Sequence, residues 1–287
     1  MATPIRKVLA QHWPEYLIEA WALGMFMVSA GLATVVVEST RSPVIALVTD
    51  PNLRRLIIGL AMGATAIALI YSPWGQRSGA HMNPAVTLGF LLLGKMRAVD
   101  AVCYCAAQAI GGLAGVLIVW FIAGSAFSAP QVNYIATVPG RSGVGVAFVA
   151  EFGISLLMML TVLTASSRRR TAPYTGICAG VLVAAFITVE APLSGMSMNP
   201  ARSLASAVPA GLWDHLWVYF TAPILGMALA AVGWRRAQGG IAAPCAKLAH
   251  PAGVRCIHCG YTPPRAAPPD TPDPSATGTR TGTGVRQ

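Results

Sequence analysis

Six stretches of this chain, Tyr16–Val37, Leu53–Tyr71, Ala98–Gly124, Val144–Ala165, Ala172–Val189 and His215–Trp234, are each about 20 residues long, mostly apolar and poor in charge. As helices they are long enough to cross about 30 Å of hydrocarbon, a solvent in which the backbone must satisfy its own hydrogen bonds. A single water-soluble core does not hide that much apolar surface, since 55% of the residues are hydrophobic and 10% are charged. The reading is an all-α membrane protein with six spans. The first run is full length, begins after Pro14 and lacks a small-residue cleavage site, so it reads as a retained span rather than a cleaved signal peptide.

Charge sets the orientation. With the N-terminus in the cytoplasm, fifteen of the twenty Lys and Arg residues fall on the cytoplasmic side, among them Lys95, Arg97 and the run Arg168-Arg169-Arg170. The positive-inside rule then predicts a multi-pass protein of the cell (plasma or inner) membrane with both termini in the cytoplasm. The same bias accounts for the net charge of +10 without a nucleic-acid partner. Beyond Trp234 the composition turns to Ala, Pro, Gly, Thr and Arg, and Pro263–Gln287 shows no apolar periodicity. The expected organisation is a cytoplasmic N-terminus over 1–15, a membrane domain over 16–234 and a cytoplasmic tail over 235–287, disordered outside a small knuckle at 245–260.

Two further segments are too short to span and too apolar for ordinary loops: Ser78 to Leu93 and Ser194 to Val208. Both carry Ser-Gly-x-x-Met-Asn-Pro-Ala, and each follows two spans and precedes a third. Other residues recur around them: Glu19 matches Glu151, and Gln108-x-x-Gly111 matches Pro223-x-x-Gly226. The chain is therefore a duplicated three-span unit, about 16–124 and 144–234. Because three is odd, the second copy lies upside down relative to the first, and the short segments enter from opposite faces as re-entrant half-helices.

Asn is a good helix N-cap and Pro suits the first helical position, so Asn83-Pro84-Ala85 and Asn199-Pro200-Ala201 each open a half-membrane helix. If both half-helices point inward, their positive ends meet near the midplane, where both Asn amides can donate to one passing oxygen. A water held so is a poor proton relay, and Arg202 adds to the cost for cations. Non-helical backbone at membrane depth is tolerated where it lines an aqueous cavity. The carbonyls of Gly79, Ala80 and His81, and of Met196, Ser197 and Met198, are accordingly expected as acceptors along a pore. A lone Asn-Pro-Ala would be only a helix start; the paired, repeat-related copies carry the functional reading.

The paired motifs, together with Glu19, Glu151, Gln108 and Pro223, resemble those of the aquaporin and aquaglyceroporin family of major intrinsic proteins, over roughly Tyr16 to Trp234. The resemblance implies six tilted helices plus two half-helices, one pore per subunit and a homotetramer in the bilayer. It also implies an outer filter of four residues, three of which fall on Ile187, Met196 and Arg202. The fourth falls on Met62 or, without a one-residue insertion between Tyr71 and Ser78, on Gly63. Water-selective members carry a bulky aromatic and a His at two of these places, and this chain carries neither. Ser203, Ala207 and Tyr219-Phe220 resemble the water-channel subgroup instead. The expected function is passive conduction of water and small uncharged solutes, the alternative being a facilitator of glycerol, urea, ammonia or neutral metalloid acids.

Buried acids in a span suggest a proton relay by default. The symmetry of Glu19 and Glu151 favours a structural role instead, accepting hydrogen bonds from the re-entrant backbone; a proton-coupled transporter using them is the distant alternative. Glu190 is expected either to pair with Arg202 or to sit in solvent, and His81 to pack the first loop rather than to sense pH. No Ser/His/Asp set lies within the spans, so the chain is not expected to be an enzyme, and transport needs no cofactor. In the tail, Cys256-Ile-His-Cys259 with Cys245 and His250 forms a candidate ligand set for a structural zinc.

Overall fold

The computed structural model describes residues 4–238 and 245–263. From residue 264 onward, the tail expected to be disordered lies outside the described residues. Among the described residues there are six long helices: α1 (Ile5–Glu38), α2 (Pro51–Tyr71), α4 (Ala98–Ala123), α5 (Val144–Ser166), α6 (Thr175–Val189) and α8 (Leu216–Ala237). Between them stand two short helices that open at the Asn-Pro-Ala motifs, α3 (Pro84–Leu92) and α7 (Pro200–Ala210). The start signals act locally as expected. Asp50 caps α2 with Pro51 at its first position, and Asn83 and Asn199 cap α3 and α7 ahead of Pro84 and Pro200.

Helix α1 is longer than its sequence signal. It begins at Ile5 and continues through Pro14, where the sequence suggests a start. Tertiary contacts hold this extra length despite the backbone hydrogen bond that Pro14 removes. His12 Nδ1 and the Tyr16 hydroxyl both meet Asp100 Oδ1, at 2.8 and 2.6 Å, and Arg77 Nε donates to Glu15 Oε1 at 3.0 Å.

Packing follows the duplication. Helix α1 packs along α4, α5 along α8, and α2 against α6 across the pseudo-twofold axis. Glycines allow the close approach. A methyl group on Gly111 of α4 would collide with the backbone of Ala20, and one on Gly226 of α8 with the carbonyl of Phe152. These are repeat equivalents, since Ala20 follows Glu19 and Phe152 follows Glu151. The half-helices complete the exchange, α3 packing on α8 and α7 on α4, each against the third helix of the other copy. Gly111→Leu must separate α1 from α4 and is expected to cost about 3 kcal/mol or more. A clear fall in melting temperature in detergent, with loss of monodisperse protein, checks this.

Candidate functional site

The backbone before each Asn-Pro-Ala motif is not a relaxed loop. Ala80 and Met82 have φ of 54° and 50°, and Met196 and Met198 have φ of 52° and 54°. Left-handed backbone at a non-glycine residue costs on the order of 1–3 kcal/mol, so something must hold it. The two buried acids do. Glu19 Oε1 accepts from the Ser78 hydroxyl (2.7 Å) and the His81 N–H (3.1 Å), and Oε2 from the Met82 N–H and Gln108 Nε2 (both 2.8 Å). Glu151 repeats the pattern. Its Oε1 accepts from the Ser194 hydroxyl (2.7 Å) and the Ser197 N–H (2.6 Å), and its Oε2 from the Met198 N–H (2.7 Å). Where Gln108 adds a donor in the first copy, Pro223 has none. Hydrogen bonds to a charged acceptor are the strong class, and these turn each carboxylate into a splint for a strained loop.

A second brace escaped sequence reasoning. The Tyr104 hydroxyl donates to the Ser78 carbonyl (2.8 Å), and the Tyr219 hydroxyl to the Ser194 carbonyl (2.5 Å). Both tyrosines stand four residues before the Gln108/Pro223 pair, a spacing that was legible as a repeat. His81 and Ser197 are paired too, meeting Thr87 Oγ1 (3.1 Å) and Ser203 Oγ (2.6 Å) respectively. His81 is buried and stacked on Phe90, a packed rather than solvated imidazole.

The two loops are tied to each other at the middle of the protein. Asn83 Nδ2 donates to the Met198 carbonyl and Asn199 Nδ2 to the Met82 carbonyl, each at 2.7 Å. Asn83 Oδ1 accepts from the Ala85 N–H (2.8 Å) and Asn199 Oδ1 from the Arg202 N–H (3.2 Å), which caps both half-helices. Each amide thus commits one N–H to the opposite loop and keeps one. Both Asn residues line a cavity of about 280 Å³ between the two copies. Its walls keep the duplication: Phe26 and Ala30 of α1 face it, as do Met158 and Val162, their equivalents on α5.

The sequence pattern of the family described as Major intrinsic protein matches residues 7–234. The chain belongs to that family. It is 36% identical over 222 residues to "Glycerol uptake facilitator protein-like 6" of Lactiplantibacillus plantarum, covering 76% of this chain and 94% of that one. It is 30% identical to "Aquaporin NIP1-4" of Oryza sativa subsp. japonica, covering 76% of this chain and 74% of the other. The crystallised aquaglyceroporin of Plasmodium falciparum shares the fold, with a TM-score of 0.63 at 20% identity over 78% of this chain and 95% of its own. The protein is thus a major intrinsic protein, a membrane channel for water or small solutes.

The four filter positions inferred for this family member, Met62, Ile187, Met196 and Arg202, all line the cavity. Gly63 does not, because it faces α6, where a methyl group would strike the Gly180 carbonyl. Arg202 Nη1 donates to the Ile135 carbonyl at 2.8 Å. Asn133, Tyr134 and Ile135 are three consecutive left-handed residues that turn that carbonyl inward.

Two expectations are corrected. The Gly79 carbonyl accepts from the Leu248 N–H (3.2 Å), and Gly79 is not among the residues that line the cavity. Ala80, His81, Met196, Ser197 and Met198 do line it, the Met198 carbonyl also accepting from Asn83. Glu190 neither pairs with Arg202 nor reaches solvent. It is buried where the chain passes from α6 into the short helix Ala191–Ser194, and among the described residues neither carboxylate oxygen has a hydrogen-bond partner. Burial pushes its carboxyl up to about 7, and the nearby Glu151 carboxylate adds to the rise. A raised carboxyl gives stability that is full below its unfolded value and is lost as pH rises through about 7. Thermal stability in detergent is therefore expected to fall between about pH 5 and 7 in the wild type and much less in Glu190→Gln.

In the tail, the ligand atoms of Cys245, His250, Cys256 and Cys259 all lie within 4.8 Å of one another. Cys245 Sγ and Cys256 Sγ are 3.3 Å apart, as are His250 Nε2 and Cys259 Sγ. The Cys245 thiol hydrogen-bonds to Cys256 and, with the Cys259 N–H and the Lys247 ammonium, holds the Cys256 thiol below its ordinary range. The Cys245 thiol is pushed up in return.

Proposed function

We propose that this member conducts water passively through one pore per subunit, admits small uncharged solutes more slowly, and excludes protons and ions. The observation that carries the reading is the reciprocal pair Asn83–Met198 and Asn199–Met82, which brings the positive ends of α3 and α7 together at the waist of one cavity. A water oxygen there accepts from the remaining amide N–H groups while its own hydrogens turn away, which breaks the donor chain that proton hopping needs. The fixed positive potential of two helix N-termini and Arg202 repels cations. Elsewhere the wall is largely apolar, with Ile58, Ile70, Val86 and Val183 among its residues, so water meets few partners that would slow it.

Solute choice rests on Met62, Ile187 and Met196 beside Arg202. Their apolar surface suits a carbon backbone, which favours the second reading, a glycerol or urea facilitator; the relative named as a glycerol uptake facilitator points the same way. Flexible Met side chains fill gaps, and two of them narrow the bore. Stopped-flow scattering on proteoliposomes separates the readings: shrinkage in an impermeant osmolyte reports water, and re-swelling in glycerol or urea reports solute. Fast shrinkage with little re-swelling supports the first reading and rapid re-swelling the second. In the double variant Met62→Ala/Met196→Ala, the ratio of glycerol to water permeability is expected to rise several-fold.

The functional unit in this reading is a homotetramer in the plasma or inner membrane, with both chain ends in the cytoplasm. The lipid-facing surface supports bilayer burial, with Phe121, Val102 and Ile110 of α4 exposed on the isolated chain. Permeation needs no cofactor in this reading. The Cys/His set of the tail supplies a zinc-type ligand set with a structural role, apart from contact with the solute.

A further inference from the structure

Residues 245–263 sit against the protein face where α1 begins and α8 ends, and they grip the first re-entrant loop. The Leu248 N–H donates to the Gly79 carbonyl (3.2 Å), and His81 Nε2 donates to the Ala246 carbonyl (3.0 Å). Lys247 Nζ donates to the Gln76 carbonyl (2.8 Å), and His258 Nε2 to the Ser78 carbonyl (3.1 Å). Gly79 makes room for this. It is left-handed at φ 110°, and a methyl group there would lie 2.8 Å from the Ala246 carbonyl. Leu248 lines the pore cavity and also the groove of about 780 Å³ outside it, so it stands between the pore and its mouth.

This segment contains no helix or strand, and its buried apolar side chains are few, chiefly Ala246, Leu248 and Ala249. A piece of chain that small does not hold a shape on hydrophobic burial alone and needs a covalent or metal staple. Three thiols and an imidazole are already gathered. Ligand spacings from 3.3 Å to at most 4.8 Å bracket the edges of about 3.5–3.8 Å that a tetrahedral zinc with three sulfurs and one nitrogen requires. Soft thiolate donors select zinc-class ions over magnesium or calcium. Zinc with three thiolates carries a net negative charge, and the buried Lys247 ammonium, bonded to the Gln76 and Arg255 carbonyls, sits beside it to offset that charge.

We propose that a divalent metal of the zinc class, bound by Cys245, His250, Cys256 and Cys259, locks the tail as a plug with Leu248 in the pore mouth, and that loss of the metal opens the channel. The proposal rests on the channel reading above. Unligated, the tail keeps a few hydrogen bonds that water can replace and the small apolar contact of Ala246, Leu248 and Ala249, so the plug loses its shape and its hold together. The metal thereby couples cytoplasmic zinc to permeability without touching the solute.

The test uses full-length protein, either loaded with zinc or stripped by a chelator under reducing conditions, each before reconstitution so that orientation in the vesicle does not matter. Elemental analysis is expected to give one zinc per chain, and cobalt in its place to give the visible bands of tetrahedral thiolate coordination. Stripped protein is expected to shrink vesicles at least about ten-fold faster than zinc-loaded protein. Cys256→Ser/Cys259→Ser is expected to be fast with or without zinc, and Leu248→Gly fast with zinc still bound. Stoichiometric zinc with equal rates for loaded and stripped protein overturns the plug, and absence of stoichiometric zinc overturns the metal site. If every preparation, the double cysteine variant included, is as slow as empty vesicles, the channel reading itself fails and the gate with it.

Discussion

Replacing Glu151 by Leu is expected to abolish protein-dependent water flux and to destabilise the second half of the channel. The carboxylate receives the Ser194 hydroxyl and the N–H groups of Ser197 and Met198, all buried. Left without an acceptor, each buried donor costs about 1–3 kcal/mol, so the three together cost on the order of 3–9 kcal/mol. The left-handed backbone at Met196 and Met198 is then unsupported, and the Met198 carbonyl no longer meets Asn83. Glu151→Gln keeps one acceptor oxygen and is expected to retain a fold with reduced flux. The pair separates a splint from a proton carrier: a carrier loses pH-driven transport in the Gln variant while its structure and passive water flux stay intact. Thermal melting in detergent and vesicle shrinkage, measured together, give the answer.

The second large effect is expected at Arg202. Arg202→Val removes a fixed positive charge from the cavity wall and leaves the Ile135 carbonyl facing the pore without its donor. Both changes favour cations. Proton leak, followed by a dye trapped in the vesicle, is expected to rise at least about ten-fold, the equivalent of about 1.4 kcal/mol taken off the barrier. Water flux is expected to stay the same or to increase, since a smaller side chain replaces the guanidinium. An unchanged proton leak in a well-folded variant would move the barrier to the Asn83/Asn199 waist alone.

The spans, the duplication and the two half-helices were legible because each leaves a local mark. Charges inside apolar runs stand out, and Glu19 and Glu151 stood out twice, once in each copy. Asn-Pro-Ala reads as a helix start from capping chemistry alone, and the loops it opens are held by the donors that the repeat aligns. The bracing role of Tyr104 and Tyr219 was missed: a tyrosine in a span reads as ordinary apolar packing, and Tyr219 stood out only as a subgroup marker, although the common spacing from Gln108 and Pro223 was available. Which of Met62 and Gly63 faces the cavity depends on the register of α2 against α6, which a gap of uncertain length hides in the sequence and the Gly63–Gly180 contact shows.

Other features had no local signature. Whether a carbonyl lines a pore depends on what else reaches it, and the Gly79 carbonyl is claimed by Leu248, 169 residues later. Glu190 looked like a mouth residue by its place near the filter, yet the turn that ends α6 folds it inward. The four tail ligands were readable as a set from Cys and His spacing. Their position over the pore was not, because the contacts that place them join segments with no shared periodicity.

The most direct test of the central claim is osmotic shrinkage of vesicles containing metal-stripped, full-length protein, followed by stopped-flow light scattering over a range of temperatures. A passive channel gives protein-dependent water flux with a low activation energy, close to that of water moving in bulk, and unchanged by an imposed pH gradient. Shrinkage no faster than that of empty vesicles, in both the stripped protein and Cys256→Ser/Cys259→Ser, would contradict it.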